Sequence, residues 1–438
     1  MKEHAFIDSI NALDPVKRWG RLQRIMSTWL EADGPSVALG SLCEIGGQDG
    51  APACIAEVVK VDVDHIALVP FDDVSNMAAG MRVLALNVDA AVSVGDAFLG
   101  RPIDALGHPL DDGPPIVAPP RAPLHAEMPS PLERASPRQV LHTGIRALDG
   151  LLTLGVGQRV GIFAASGVGK TSLIAQLARQ VTADHTILCL VGERGREVEE
   201  LWLDELDETT RKRSTLVAAT SDKPAALRIR AVYQALAMAR HWRDRGKDVL
   251  LILDSATRLA MAMRETGLAA GEPPTVRAYP PSVFAAIPRV VEQCGALKSG
   301  GSVTALFTVL SETDDVDDPI CEMMKSLLDG HVVLSRTLAE RGHFPAIDVG
   351  RSVSRNSHKL VSRDHLAKAR SAISLLAEYE ASRTLIESGL YTAGNSARLD
   401  LAIKAKPAID RFLAQDAADH VEFPQMLAAL DALPGETP

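Results

Sequence analysis

An α/β core built on a mainly parallel sheet, preceded by a small β-barrel and followed by a helical domain, is the architecture this sequence predicts. Three observations carry it. Apolar strand-like runs alternate with helical segments through residues 140–360, the pattern of parallel strands joined by crossover helices. Short β-type runs punctuated by Gly and Asp occupy the region before it. Beyond residue 361 no strand pattern remains, and apolar residues recur at helical spacing.

The first 18 residues carry Phe6, Ile7, Ile10 and Leu13 at helical spacing, closed by Pro15. They predict a short amphipathic helix, too short to hold alone, which packs either on its own domain or on a partner. The start lacks a basic segment followed by an apolar one, and no apolar run reaches bilayer length; a soluble cytoplasmic protein is expected. Over residues 19–110 the runs Cys54–Val63, His65–Val69 and Arg82–Val88, set between Gly46-Gly47, Asp72-Asp73, Gly80 and Gly95-Asp96, predict a small β-barrel or sandwich. Residues 111–139 are rich in Pro, with Pro114-Pro115, Pro119-Pro120 and Pro131 among them. They read as a semi-rigid connector.

The core at 140–360 offers strands at Val160–Phe163, Thr186–Val191, Leu216–Ala219, Val249–Leu253, Val303–Val309 and His331–Leu334, with a helix at Ala225–Arg243. The region 361–438 predicts helices at Leu366–Tyr379, Arg383–Glu387, Leu399–Ala405 and Ala408–Leu413.

Bulk composition narrows the function. The chain has 438 residues, 46% hydrophobic and only 4% aromatic, with a net charge of −10. The acidic balance and sparse aromatics disfavour a nucleic-acid binder. Five cysteines, with no C-x-x-C pair among them, argue against metal ribbons and disulfide frameworks.

Chemistry concentrates at residues 164–172, Ala164-Ala165-Ser166-Gly167-Val168-Gly169-Lys170-Thr171-Ser172, directly after the first apolar strand. A strand, a small-residue turn and a helix opened by Lys-Thr make a phosphate-binding P-loop: backbone N–H groups cradle a triphosphate, Lys170 reaches its β- and γ-phosphates, and the Thr171 hydroxyl takes Mg²⁺. Ala164 stands where the strict motif has Gly. Hydrolysis needs more than binding. Leu250-Leu251-Ile252-Leu253-Asp254 is an apolar strand ending in a carboxylate, suited to a Mg²⁺ site or to capping the next helix. Glu193, after the strand ending Leu190-Val191-Gly192, emerges at the same sheet edge, where it either polarises water or, with Glu197, complements a helix dipole.

These segments, with Gly192-Glu193-Arg194, Gly271-Glu272-Pro273-Pro274, Tyr279-Pro280-Pro281-Ser282, Leu328-Asp329-Gly330-His331 and Pro345-Ala346-Ile347-Asp348, resemble the rotary-type ATPases related to ATP synthase catalytic subunits. Within them the sequence is most similar to the export ATPases of flagellar and virulence type III secretion systems, from about Gly20 to Leu413. The resemblance implies an α/β P-loop NTPase core of RecA/F1-like type, and a family in which Ala is common at position 164. It implies that residues 165–172 hold ATP, with Arg194 beside the phosphates and Phe344 against adenine. Glu193 becomes the carboxylate that positions water, Thr171 and Asp254 hold Mg²⁺, and Glu197 holds a metal-bound water. Arg355 in Ser352-Val353-Ser354-Arg355 matches an arginine finger supplied across a subunit boundary, which implies a homohexamer.

By the same resemblance the partners are a stator-like negative regulator docked on the N-terminal helix, a central stalk protein, export chaperone–substrate complexes and a membrane export gate, with no nucleic acid. The expected function is Mg²⁺-dependent ATP hydrolysis that releases chaperones and unfolds substrates at the inner-membrane export apparatus. Ser166 favours the flagellar apparatus and Phe163-Ala164-Ala165 the virulence injectisome; the flagellar reading is preferred. An ATP synthase or vacuolar pump subunit, a ring RNA translocase and a non-catalytic nucleotide-binding subunit are the alternatives.

Overall fold

The computed structural model describes residues 17–26, 28–46, 54–72, 74–86, 91–117, 119–311 and 318–434. The helix expected over 1–18 falls on residues outside this set, save Lys17 and Arg18, which lead into the first strand.

Six antiparallel strands, β1 (Trp19–Ile25), β2 (Leu30–Ala32), β3 (Leu42–Gly46), β4 (Cys54–Val61), β5 (Ile66–Pro70) and β6 (Arg82–Ala85), close into a barrel in the order β1-β2-β5-β4-β3-β6. Strand alternation sends Ala56 and Val58, Ile66 and Leu68 inward, where they meet Leu22, Leu30 and Ile45. Closure leaves no unpaired edge.

The connector is held by strand pairing and by arginine contacts. β7 (Ala91–Ser93) pairs with β9 (Arg121–Pro123). Arg101 donates to Asp111 at 2.7 Å and to the Pro114 carbonyl at 2.7 Å, gathering the Pro-rich stretch. β8 (Pro102–Ile103) runs parallel to a core strand. The core sheet therefore reaches back into the stretch whose composition groups with the barrel; two residues flanked by turns carry no periodicity to read.

The core is a 10-stranded sheet. Its main path runs β18 (Val353–Ser354), β17 (Gly330–Val333), β11 (Arg159–Ala164), β16 (Ser302–Leu310), β14 (Asp248–Asp254), β12 (His185–Val191), β13 (Ser214–Ala219) and β8, with β10 (Arg134–Ala135) and β15 (Gly295–Leu297) off this path. From β17 to β8 every neighbouring pair is parallel; β18 is antiparallel to β17. Alternate residues of one strand feed opposite faces. Ile187, Cys189 and Val191 of β12 join a core with Trp242 and Leu259, whereas Leu188 and Leu190 join Leu173, Leu177 and the C-terminal helices. Ala372, Leu375, Ala402, Ile409 and Phe412 belong to that second core. The C-terminal helices thus share a core with the helix that follows the P-loop. The two segments read around residue 407 form one helix, Ala397–Leu413, with Pro407 inside it. Buried Ala402, Ala405, Ile409 and Phe412 hold both halves in place, which outweighs the backbone hydrogen bond that proline removes.

Candidate active site

β11 ends at Ala164, and the helix Lys170–Gln180 begins six residues later, so residues 165–169 form the turn. Gly169 takes φ 90° at the helix start, a backbone region closed to most side chains. Buried Val168 anchors the turn from below, while Ser166, Gly167, Thr171 and Ser172 face solvent and Ala165 is half-buried. Among the described residues no side chain caps this helix N-terminus, so its first N–H groups are open to an anion.

The parallel register brings the other groups to the same edge. Asp254 is the last residue of β14, level with Leu190 of β12. Gly192, at φ 72°, turns the chain after β12; a Cβ there would lie 3.1 Å from the Cβ of Arg258. Glu193 follows, with its carbonyl accepting from Ser221 N at 3.0 Å. Lys170 Nζ lies between the two carboxylates, 2.5 Å from Asp254 Oδ1 and 3.5 Å from Glu193 Oε1. The three side chains are only 6–14% exposed. Burial pushes the Glu193 carboxyl above the usual carboxylate range; Lys170 opposes this, while Asp254 and Glu197 add to it. A glutamate with a raised affinity for protons, held beside the lysine that opens the helix after the turn, is suited to accept a proton from water.

The remaining expected residues divide. Arg194 is exposed at 84% and ion-pairs with Glu197 at 3.9 Å on the solvent side. Phe344 is exposed at 46%, and its ring lies 3.5 Å from where a Gly169 Cβ would be. An exposed aromatic thus flanks the P-loop, the position a stacked base requires. Arg355 is not brought to this site. Ser354 of β18 pairs with Gly330 of β17, which pairs with Val160 near the start of β11. The P-loop follows the other end of β11, ~13 Å further along at ~3.3 Å per residue. Exposed Arg355 donates from Nη2 to the Lys325 carbonyl at 3.0 Å.

Two residues at the site escaped sequence reasoning. Arg258 packs on Gly192 and favours the ionised form of Glu193, and its buried Nε has no hydrogen-bond partner among the described residues. Its signal was a cation in the first turn after Asp254. Thr308, fully buried in β16, donates to Asp254 Oδ1 at 2.6 Å. Its signal was a hydroxyl inside an otherwise apolar run.

The donors fit Mg²⁺: a hydroxyl (Thr171) and a carboxylate (Asp254) are hard oxygens. Mg²⁺ is held by one or two carboxylates plus substrate phosphates rather than by an all-protein cage. Among the described residues no group of three or more His, Cys, Asp or Glu is placed to hold a metal ion.

Comparison with known proteins identifies the family. Residues 144–354 match the nucleotide-binding domain of the ATP synthase alpha/beta family, and residues 361–432 match the T3SS EscN ATPase C-terminal domain. The flagellum-specific ATP synthase of Bacillus subtilis is 42% identical over 99% of both chains. The chain belongs to the flagellar and type III secretion ATPase family. It is an ATP hydrolase of the export type. The type 3 secretion system ATPase of Xanthomonas euvesicatoria is 44% identical over 91% of this chain and 90% of that one. The assembled ATPase EscN of the enteropathogenic E. coli type III secretion system superposes with a TM-score of 0.89, at 42% identity over 94% of this chain and 99% of that one. EscN has also been solved in complex with its central stalk EscO, at TM-score 0.86, 41% identity and the same coverage of 94% and 99%. No helix among the described residues is long and apolar enough to cross a membrane.

Proposed function

We propose that this ATPase works as a homohexameric ring on the cytoplasmic side of the inner membrane, peripherally bound to a flagellar export apparatus. There it releases chaperones and unfolds substrates for a membrane export gate. The observation that carries the ring is the separation of Arg355 from the chain's own P-loop. A finger at the opposite end of the sheet serves a neighbouring subunit's site. The match to a flagellar relative from end to end supports the flagellar assignment. The stalk complex of EscN supports a central stalk partner, and the segment 1–18 is assigned to the stator-like regulator.

The chain's own groups then act as follows. Amides of residues 165–170 receive the phosphates. Lys170 leaves Asp254 for the β- and γ-oxygens. Phe344 lies against adenine, and Arg194 and Glu197 stand at the mouth of the site. Glu193 orients the attacking water and accepts its proton as ATP and water become ADP and phosphate, and the neighbour's Arg355 offsets charge on the transferred group. Thr171 and Asp254 are the residues that would hold Mg²⁺, which when bound would neutralise phosphate charge.

ATP turnover per subunit, measured against protein concentration, tests the reading. It is expected to rise steeply with assembly. Constant specific activity from fully dissociated to fully assembled protein would remove the shared site.

A further inference from the structure

Asp254 Oδ1 takes two donors, Lys170 Nζ at 2.5 Å and Thr308 Oγ1 at 2.6 Å; neither bond uses Oδ2. The Thr308 hydroxyl also lies 3.4 Å from the Leu253 carbonyl; the shorter contact, to a carboxylate, takes its single proton. The sheet register imposes this contact. Leu253 pairs with Phe307 in the parallel β14/β16 ladder, so the next residue of each strand, Asp254 and Thr308, stands side by side on one face. Thr308 is 0% exposed, and Asp254 is 4% exposed.

The two donors have different futures. Lys170 is the group a triphosphate takes away. Thr308 sits on a central strand of the sheet, and its other acceptor, the Leu253 carbonyl, is the more distant one at 3.4 Å. Among the described residues Asp254 has no side-chain hydrogen bond besides these two, so once Lys170 leaves, Thr308 is the donor that still fixes its carboxylate.

We propose that Thr308 is a positioning residue for Mg²⁺: its hydroxyl pins Asp254 Oδ1 and thereby presents Oδ2 to the metal shell once Lys170 has moved to the phosphates. The proposal rests on Asp254 as the metal-holding carboxylate. Valine removes the hydroxyl and keeps the shape.

In the full-length Thr308→Val variant, the Mg²⁺ concentration that half-saturates tight binding of a fluorescent ATP analogue is expected to rise roughly tenfold, the scale of one hydrogen bond to a charged group. Binding of the same analogue in EDTA stays at the wild-type level, and Thr308→Ser restores the Mg²⁺ response. An unchanged Mg²⁺ response in Thr308→Val overturns the proposal. So does an equal loss of binding in EDTA, which marks a purely structural role. Asp254→Asn separates the two layers. If it too leaves the Mg²⁺ response unchanged, the reading of Asp254 fails and the proposal falls with it.

Discussion

The two ends of β11 each carry a partly buried cation among carboxylates, and the balance of forces is opposite. At the start, Arg159 makes a bidentate pair with Asp329 at 3.0 and 3.2 Å and reaches Glu292 at 2.6 Å. Arg134 holds Glu292 from the far side at 3.3 Å. Burial works against the Arg159 charge, yet Asp329 and Glu292 more than offset it and hold its pKa above the usual value. Beyond the other end, Lys170 touches Asp254 closely and Glu193 only at 3.5 Å. There burial outweighs pairing, and Glu193 is raised. A saturated network fixes the sheet and carries Arg355, whose N–H donates to the Asp329 carbonyl at 3.0 Å. An undersatisfied one keeps a lysine transferable and a glutamate ready for a proton. The difference between a structural and a reactive charge cluster is whether its pairing beats its desolvation.

Substitutions on either side sharpen this contrast. Glu193→Gln should show the largest effect: ATP still binds, and turnover falls on the order of 10²–10⁴-fold, the range of general-base catalysis. Comparing equilibrium nucleotide binding with steady-state hydrolysis checks it, and a parallel loss of binding would contradict the assignment. Asp329→Ala acts at the other end. It leaves the partly buried Arg159 with Glu292 as its remaining carboxylate partner and should cost about 2 kcal/mol in denaturant-induced unfolding, the scale of hydrogen bonds to a charged group, while the folded fraction keeps its nucleotide affinity. Loss of affinity with unchanged stability would invert the roles of the two clusters. The smallest effect is in pH. Because Glu193 is raised and acts ionised, turnover should fall as pH drops through a midpoint above the ordinary Glu value of about 4.3. That limb should be missing from the residual activity of Glu193→Gln; an acid limb shared by both proteins would belong to another group.

How legible each cluster was follows from the same physics. Lys170, Glu193 and Asp254 were readable because Asp254 ends an apolar strand and the other two follow one within a short turn. A parallel sheet gathers such ends at one edge. The core strands were readable for the same reason, being continuous apolar runs. Arg159–Asp329 and Asp254–Thr308 join residues far apart in sequence, and only the sheet register makes them neighbours. β8 was too short to show a period, and Pro407 suggested a break that packing on both sides of it overrides. The pattern around Arg355 says little by itself and only the family resemblance named it; its distance from the chain's own P-loop needed the β18–β17–β11 ladder.

Mixing two inactive variants tests the shared site most directly. Glu193→Gln supplies an intact Arg355 but a dead pocket; Arg355→Ala supplies an intact pocket but no finger. Co-assembled, the pocket of one meets the finger of the other. ATP hydrolysis by the mixture should rise well above the sum of its two components. A mixture that assembles yet stays as inactive as its parts would contradict a site completed by a neighbouring subunit.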